Sequence, residues 1–315
     1  MTEPDAADGA DGRAGGSARR RADVSTLGML LFELPWFVWS LIIVQLAIGS
    51  FVGNPWPWIA VGVWLLAGGL MLLRPVDALV ARVVDRLRQP TGEESQKLDP
   101  AWRAVAGTAG VDAAKYSLWI EDVTAVSAMA SGGHTVAVTR WALTTLPPRQ
   151  LEAVLAHELA HHLGGHTWAG ALSSWYSLPS RGAVWLVRGI VRVARRVPAV
   201  GCVITALVVM AVGGMLLSSV IFGYFPTQLI LIVVALAAPV ILAWFRRRAE
   251  KNANQVAASL GYGHPLLDAL YAWQAQNRDI ERRAAGRRVA LMSFHPSVAE
   301  QIIALEKYMR NHGLM

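Results

Sequence analysis

The polar and apolar positions of this chain fall into long blocks rather than a uniform mixture. Four blocks are apolar enough to cross a bilayer, whose core takes about 20 such residues as a helix. They run from about Leu34 to Val52, Pro57 to Leu73, Ala199 to Phe222 and Thr227 to Phe245. None contains Lys, Arg, Asp or Glu. One such charge at mid-helix would cost roughly 2.5–3.5 kcal/mol on insertion. Trp36, Trp39, Trp56, Trp58 and Trp244 stand near the block ends, where amphipathic rings favour the membrane interface. Glu33 lies just outside the first block, at headgroup level. The pattern predicts two pairs of membrane helices, over 27–74 and 199–245, flanking polar segments at 75–198 and 246–315.

The polar segments carry shorter periodicities. Residues 76–88 and 100–109 read as helices. Tyr116–Glu121, Val123–Ala130 and Thr135–Thr139 are short and β-prone, with Ser131-Gly132-Gly133 as a turn. A helix follows Pro147-Pro148, since proline is tolerated at a helix start. In 184–197, VWLVRGIVRVARRV, Arg188, Arg192 and Arg195 share one helical face, and Leu186, Ile190, Val193 and Val197 line the opposite one. That basic amphipathic pattern suits an anionic leaflet, although an ordinary lead-in to the third block would look similar. Residues 1–26 are Ala, Gly, Asp and Arg with little to bury, and read as a disordered cytoplasmic tail.

Composition agrees with the blocks. The chain is 54% hydrophobic and only 16% charged, with mean hydropathy +0.38, whereas soluble domains carry about 25% charged residues. Disorder, a coiled coil and a disulfide-stapled secreted scaffold are excluded. Cys202 is the only cysteine, so no intrachain disulfide forms. The net charge of +7 could suggest nucleic acid, but its distribution points elsewhere. Arginines cluster in the tail, after the second block, before the third and after the fourth. The turns near Gly53–Pro57 and Gly223–Pro226 have none. The positive-inside rule then places both termini and both polar segments in the cytoplasm of a multi-pass cell-membrane protein, and no nucleic-acid partner is needed.

The chemistry lies in residues 157–162, HELAHH. His157 and His161 are four apart and project from one helical face. Two imidazoles at that spacing can share a zinc ion, with Glu158 beside them as general base. The apolar lead-in LEAVLA argues against a solvated charged helix, because it buries the histidines beside a core. A third ligand is needed. The pattern HExxHxxGxxH requires His at 167, where this chain has Thr167; His166 is one residue out of register. Arg149, Gln150 and Glu152 keep this helix out of hydrocarbon. The remaining option is Glu250, at the start of a helix after the fourth block, with Asn254 on the same face. It gives a His₂Glu site with one position left for water. The alternative is a membrane-proximal charge balancing Arg246, Arg247 and Arg248.

The order of two spans, HELAHH, two spans and RxxExxAN (247–254) resembles the HtpX family of bacterial membrane zinc metallopeptidases, kin of the CAAX prenyl endopeptidase. The resemblance covers nearly the whole chain after the tail. It implies an α-helical membrane protein with four transmembrane helices and a mainly helical, zincin-like (gluzincin) cytoplasmic domain with a small β-sheet. It implies one Zn²⁺ per chain held by His157, His161 and Glu250, with Glu158 as base. Substrates would be membrane or misfolded proteins, held by strand addition at a sheet edge within 127–139. His295-Pro296 matches a family His-Pro, making His295 a candidate donor to the transition-state oxyanion. Three positions depart from the family: Asn254 for its usual Asp, Ser127 for Asn and Gln301 for Arg. None removes a ligand or the base. Asn254 is the feature that would suit a catalytically silent zinc-binding scaffold, which requires a fourth protein ligand from His162 or His166.

Overall fold

The computed structural model describes residues 11–122, 128–131, 133–196, 201–203, 225–283 and 297–315, with isolated positions between 206 and 223. Its elements are α1 (Asp11–Gly49), α2 (Trp56–Leu70), α3 (Arg74–Val83), α4 (Gly92–Thr108), a 3₁₀ turn, β1 (Ser117–Glu121), β2 (Ala128–Ser131), β3 (Thr135–Thr139), α5 (Arg140–Thr145), α6 (Pro148–Leu163), α7 (His166–Tyr176), α8 (Leu178–Arg196), α9 (Phe225–Ala257), a π-helical turn (Ala258–Tyr262), α10 (Gly263–Arg283) and α11 (Val298–Asn311). They form two compact units. One comprises Gly69–Leu172, Ala243–Met315 and the start of α1; the other comprises Leu31–Gly68 and Ser173–Leu242.

The first unit is built on a three-stranded sheet in the order β1-β3-β2. β1 runs parallel to β3, with Ser117 opposite Thr135. β2 runs antiparallel to it, with Ser131 opposite Thr135. Arg88 adds an isolated antiparallel bridge to Ile120 beyond β1. Among the described residues β2 ends the sheet on the other side. Every residue of β3 is buried, because both its faces are covered. Val136 and Val138 join Ile120, Leu98, Leu155 and Leu159 in the main core. Ala137 and Trp119 face Ala81 and Leu87 around α3. α10 and α11 complete the core with Leu266, Leu270, Ile302, Leu305 and Met309. Gly261 turns the chain into α10 with φ 87°, a left-handed conformation that favours glycine.

α4 starts earlier than the hydrophobic pattern predicts. Thr91 and Glu94 form a reciprocal capping box, which satisfies two amides at the helix start. Arg88 grips the same carboxylate with two hydrogen bonds of 2.6 and 2.7 Å. Its charge-assisted bonds hold the Glu94 carboxyl down at about 2.

The second unit is knit by aromatic and small residues. Phe37 stacks on Trp64, and Tyr176 meets both edge-on. The Tyr176 hydroxyl donates to the Leu65 carbonyl at 2.9 Å, and the Trp175 indole donates to that of Trp64 at 3.1 Å. The Tyr176 ring lies so close to Gly68 that no Cβ fits there. Ser40, fully buried, accepts from the Ser180 amide.

The predicted spans are distributed differently from the apolar blocks. The first forms the apolar part of α1, Glu33–Gly49, and among the described residues no single helix is long and apolar enough to cross a membrane. At 1.5 Å per residue, 17 residues reach about 25 Å, short of a core of about 30 Å. α2 and α3 pass that test only as a pair, bent by 90°. Most of the third block, 199–222, lies outside the described residues. The fourth block is continuous with the segment after it, so Glu250 lies well inside the 33-residue α9 instead of starting a helix. No breaker separates the apolar run from RRRAEKNAN. Of the β-prone run Val123–Ala130, the described part begins at β2.

Candidate metal centre

α6 presents the histidines. Pro148 opens it at the first helical position, where no amide bond is lost. Leu151, Leu155 and Leu159 then face the core. Gly165, with φ 74°, allows the sharp exit after Leu163. The spacing puts His157 and His161 side by side, with rings edge-to-face at 4.8 Å and Nε2 atoms 3.2 Å apart. α9 brings Glu250 to the same point. Its Oε2 is 3.4 Å from His157 Nε2 and 3.8 Å from His161 Nε2. All three ligand atoms lie within 4.8 Å of one another.

This triangle has the size a tetrahedral zinc requires. Ligand atoms each about 2.1 Å from such an ion stand about 3.4 Å apart. Nitrogen lone pairs and a carboxylate converge on one point, so the donor set fits a divalent cation. Burial pushes the His157 imidazole toward neutrality, while hydrogen bonding to Glu250 and the charges of Glu158 and Glu250 pull its pKa up, with a net upward shift. Glu158 is buried on α6, with 4% of its surface exposed.

Asn254 is one turn beyond Glu250 and 2% exposed. It interacts with His157, yet neither amide atom of Asn254 nor Nδ1 of His157 closes a well-formed hydrogen bond among the described residues. With Nε2 turned to a metal, Nδ1 would carry the proton, and the Asn254 amide oxygen would be the acceptor for it.

His162, the next residue in the motif, has another task. Its Nε2 lies 3.0 Å from the Thr135 carbonyl and its Nδ1 3.1 Å from the Thr167 hydroxyl. Nε2–H therefore donates to β3, and Nδ1 accepts from Thr167. Burial holds this imidazole neutral, with its pKa down at about 4, and Tyr116 packs edge-on at 4.9 Å.

The sequence gives no hint of a second anchor on the same hairpin. Asp77, 4% exposed on α3, accepts from the His134 amide at 2.8 Å and from the Thr135 side chain. Burial raises its pKa against those bonds. Thr135 is thus held from α3 through Asp77 and from α6 through His162. No local periodicity marks either link.

His295 and Ser127 lie outside the described residues. Gln301 is buried on α11, 5% exposed.

Residues 93–309 match peptidase family M48, and the chain belongs to that family. It is 27% identical over 235 residues to a protein named Protease HtpX homolog from Albidiferax ferrireducens, covering 68% of this chain and 73% of that one. A Protease HtpX homolog from Janthinobacterium sp. is 30% identical over 189 residues, 54% of this chain and 57% of that one. Among solved structures, Ste24p from S. mikatae aligns with a TM-score of 0.42 at 16% identity, over 84% of this chain and 61% of that one.

Proposed function

We propose that the chain is a zinc-dependent integral-membrane endopeptidase that hydrolyses membrane or misfolded proteins on the cytoplasmic side. The observation that carries this is the meeting of His157, His161 and Glu250 within 4.8 Å, from helices distant in sequence. These three side chains would hold one zinc ion and leave one position for water. A zinc ion held there would supply Lewis acidity to a scissile carbonyl and to a bound water. Glu158 takes the proton of the attacking water and returns it to the leaving amine. Asn254 fixes the His157 tautomer. His295, by resemblance, donates to the oxyanion.

Substrate binding falls to the sheet edge. β2 pairs only with β3 among the described residues and packs beside α6. An extended peptide adding to β2 lies next to the metal helix, with main-chain hydrogen bonds supplying affinity independent of sequence. The reading divides the chain into a cytoplasmic tail at 1–26, membrane segments at 27–74 and 199–245, and a metallopeptidase domain assembled from 75–198 and 246–315. A lipid bilayer is its environment, with both termini cytoplasmic.

The silent-scaffold reading needs a closed zinc site. Both ring nitrogens of His162 are engaged elsewhere, and His166 starts a separate helix. The test is digestion of an unfolded membrane protein by purified enzyme, with chelator and then with zinc restored. Cleavage should stop and return; cleavage indifferent to both treatments would contradict a metalloenzyme.

A further inference from the structure

We propose that α8 lies flat in the headgroup layer of an anionic leaflet, with its apolar side in the acyl chains and its arginines toward lipid phosphates. The helix is sharply two-sided. Arg181, Arg188 and Arg192 recur at spacings of seven and four on one face, Arg196 follows one turn later, and all four are exposed. No Asp or Glu occurs anywhere in α8. Leu186, Ile190 and Val193 form the opposite face and are 57%, 38% and 55% exposed. Val187 and Val191 extend that apolar side and are also exposed. Leu178 and Trp185 are the large apolar residues in the arginine row.

The beginning of the helix is tied down, where the Ser180 amide donates to Ser40 Oγ at 3.2 Å. From Trp185 onward large apolar side chains stand exposed in succession, an arrangement that signals a membrane or partner surface. Charge decides between occupants. An unbroken row of arginines with no acid among them complements a continuous sheet of phosphates. At 19 residues α8 has nearly the length of a span, but arginines along its middle make a transmembrane orientation costly. In a flat orientation both faces are satisfied together.

This inference goes beyond the peptidase reading and uses only the membrane location from it. The test places a nitroxide at single sites in the full-length chain, in a Cys202→Ser background, reconstituted in phosphatidylglycerol/phosphatidylcholine vesicles. Leu186→Cys, Ile190→Cys and Val193→Cys should show high oxygen and low nickel-chelate accessibility. Trp185→Cys, Arg188→Cys and Arg192→Cys should show the reverse, giving a period near 3.6 residues. Pure phosphatidylcholine, or Arg188→Gln with Arg192→Gln, should move the Ile190→Cys label measurably toward water. Several results would overturn the proposal: equal nickel access on both faces, oxygen access on all faces as in a spanning helix, exclusion of both probes at Ile190→Cys as under a protein partner, or indifference to lipid charge. Resistance to carbonate extraction, measured on the same samples, separates failure of this inference from failure of the membrane reading, since an extractable chain overturns both.

Discussion

The Glu250 carboxylate reaches to 3.4 Å from the His157 imidazole, joining the C-terminal part of α9 to α6 at one point. Carbon at that position would leave two imidazoles facing each other with no anion between them. Glu250→Ala should reduce bound zinc to a small fraction of one per chain, read by mass spectrometry of purified protein, with helical content unchanged. Full zinc occupancy in this variant would remove Glu250 from the site.

Asn254 stands beside His157 and would offer its Nδ1–H an acceptor without a negative charge. Asn254→Asp should make that imidazole a stronger ligand and raise zinc affinity about tenfold, the lower end of effects seen for groups that orient metal ligands. Competition with a chelating dye measures it. Unchanged affinity would mean that Asn254 does not act through His157.

Asp77 anchors the β2–β3 hairpin from α3. Asp77→Ala leaves the His134 amide and the Thr135 hydroxyl without their acceptor, at a cost of about 1–3 kcal/mol. Asp77→Asn, which keeps an acceptor oxygen, should lose less. Thermal unfolding in detergent gives the order of stability, and hydrogen exchange at 133–135 should rise most in the alanine variant. Equal midpoints for all three proteins would deny the anchor.

Glu94 gives stability a dependence on acid pH. Its folded pKa of about 2 lies below the ordinary 4.5, so the fold favours the ionised carboxylate. That contribution is complete above about pH 4.5 and disappears as pH falls toward 2. With solvent screening it amounts to about 1–2 kcal/mol. Glu94→Gln should lower the melting temperature at pH 6 and flatten its decline between pH 4.5 and 2. An identical decline in both proteins would assign it to other carboxylates.

The meeting of His157, His161 and Glu250 is legible because each of its two halves carries a local signal. The histidine spacing sets a shared helical face, and Glu250 with Asn254 repeats the same four-residue relation. The sheet is legible in outline for the same reason. Thr91 and Glu94 also carry a readable capping signature, but Pro100, inside α4, makes 100–109 look like a helix with its own start. The grip on Thr135 is different. Asp77 and His134 are 57 residues apart, and their contact depends on α3 packing against a strand buried on both faces. The apolar blocks mark hydrophobicity correctly but not helix limits, because α9 carries its helix past the apolar run to Glu250.

The central claim is that these three side chains bind the zinc that supports peptide cleavage with Glu158 as base. Zinc content and cleavage rate, measured on the same preparations of wild type and Glu158→Gln, test it most directly. The expected result is one zinc per chain in both proteins, with cleavage reduced at least a hundredfold in the variant, as expected when a general base is lost. Wild-type cleavage by Glu158→Gln, or cleavage by zinc-free wild type, would contradict the account.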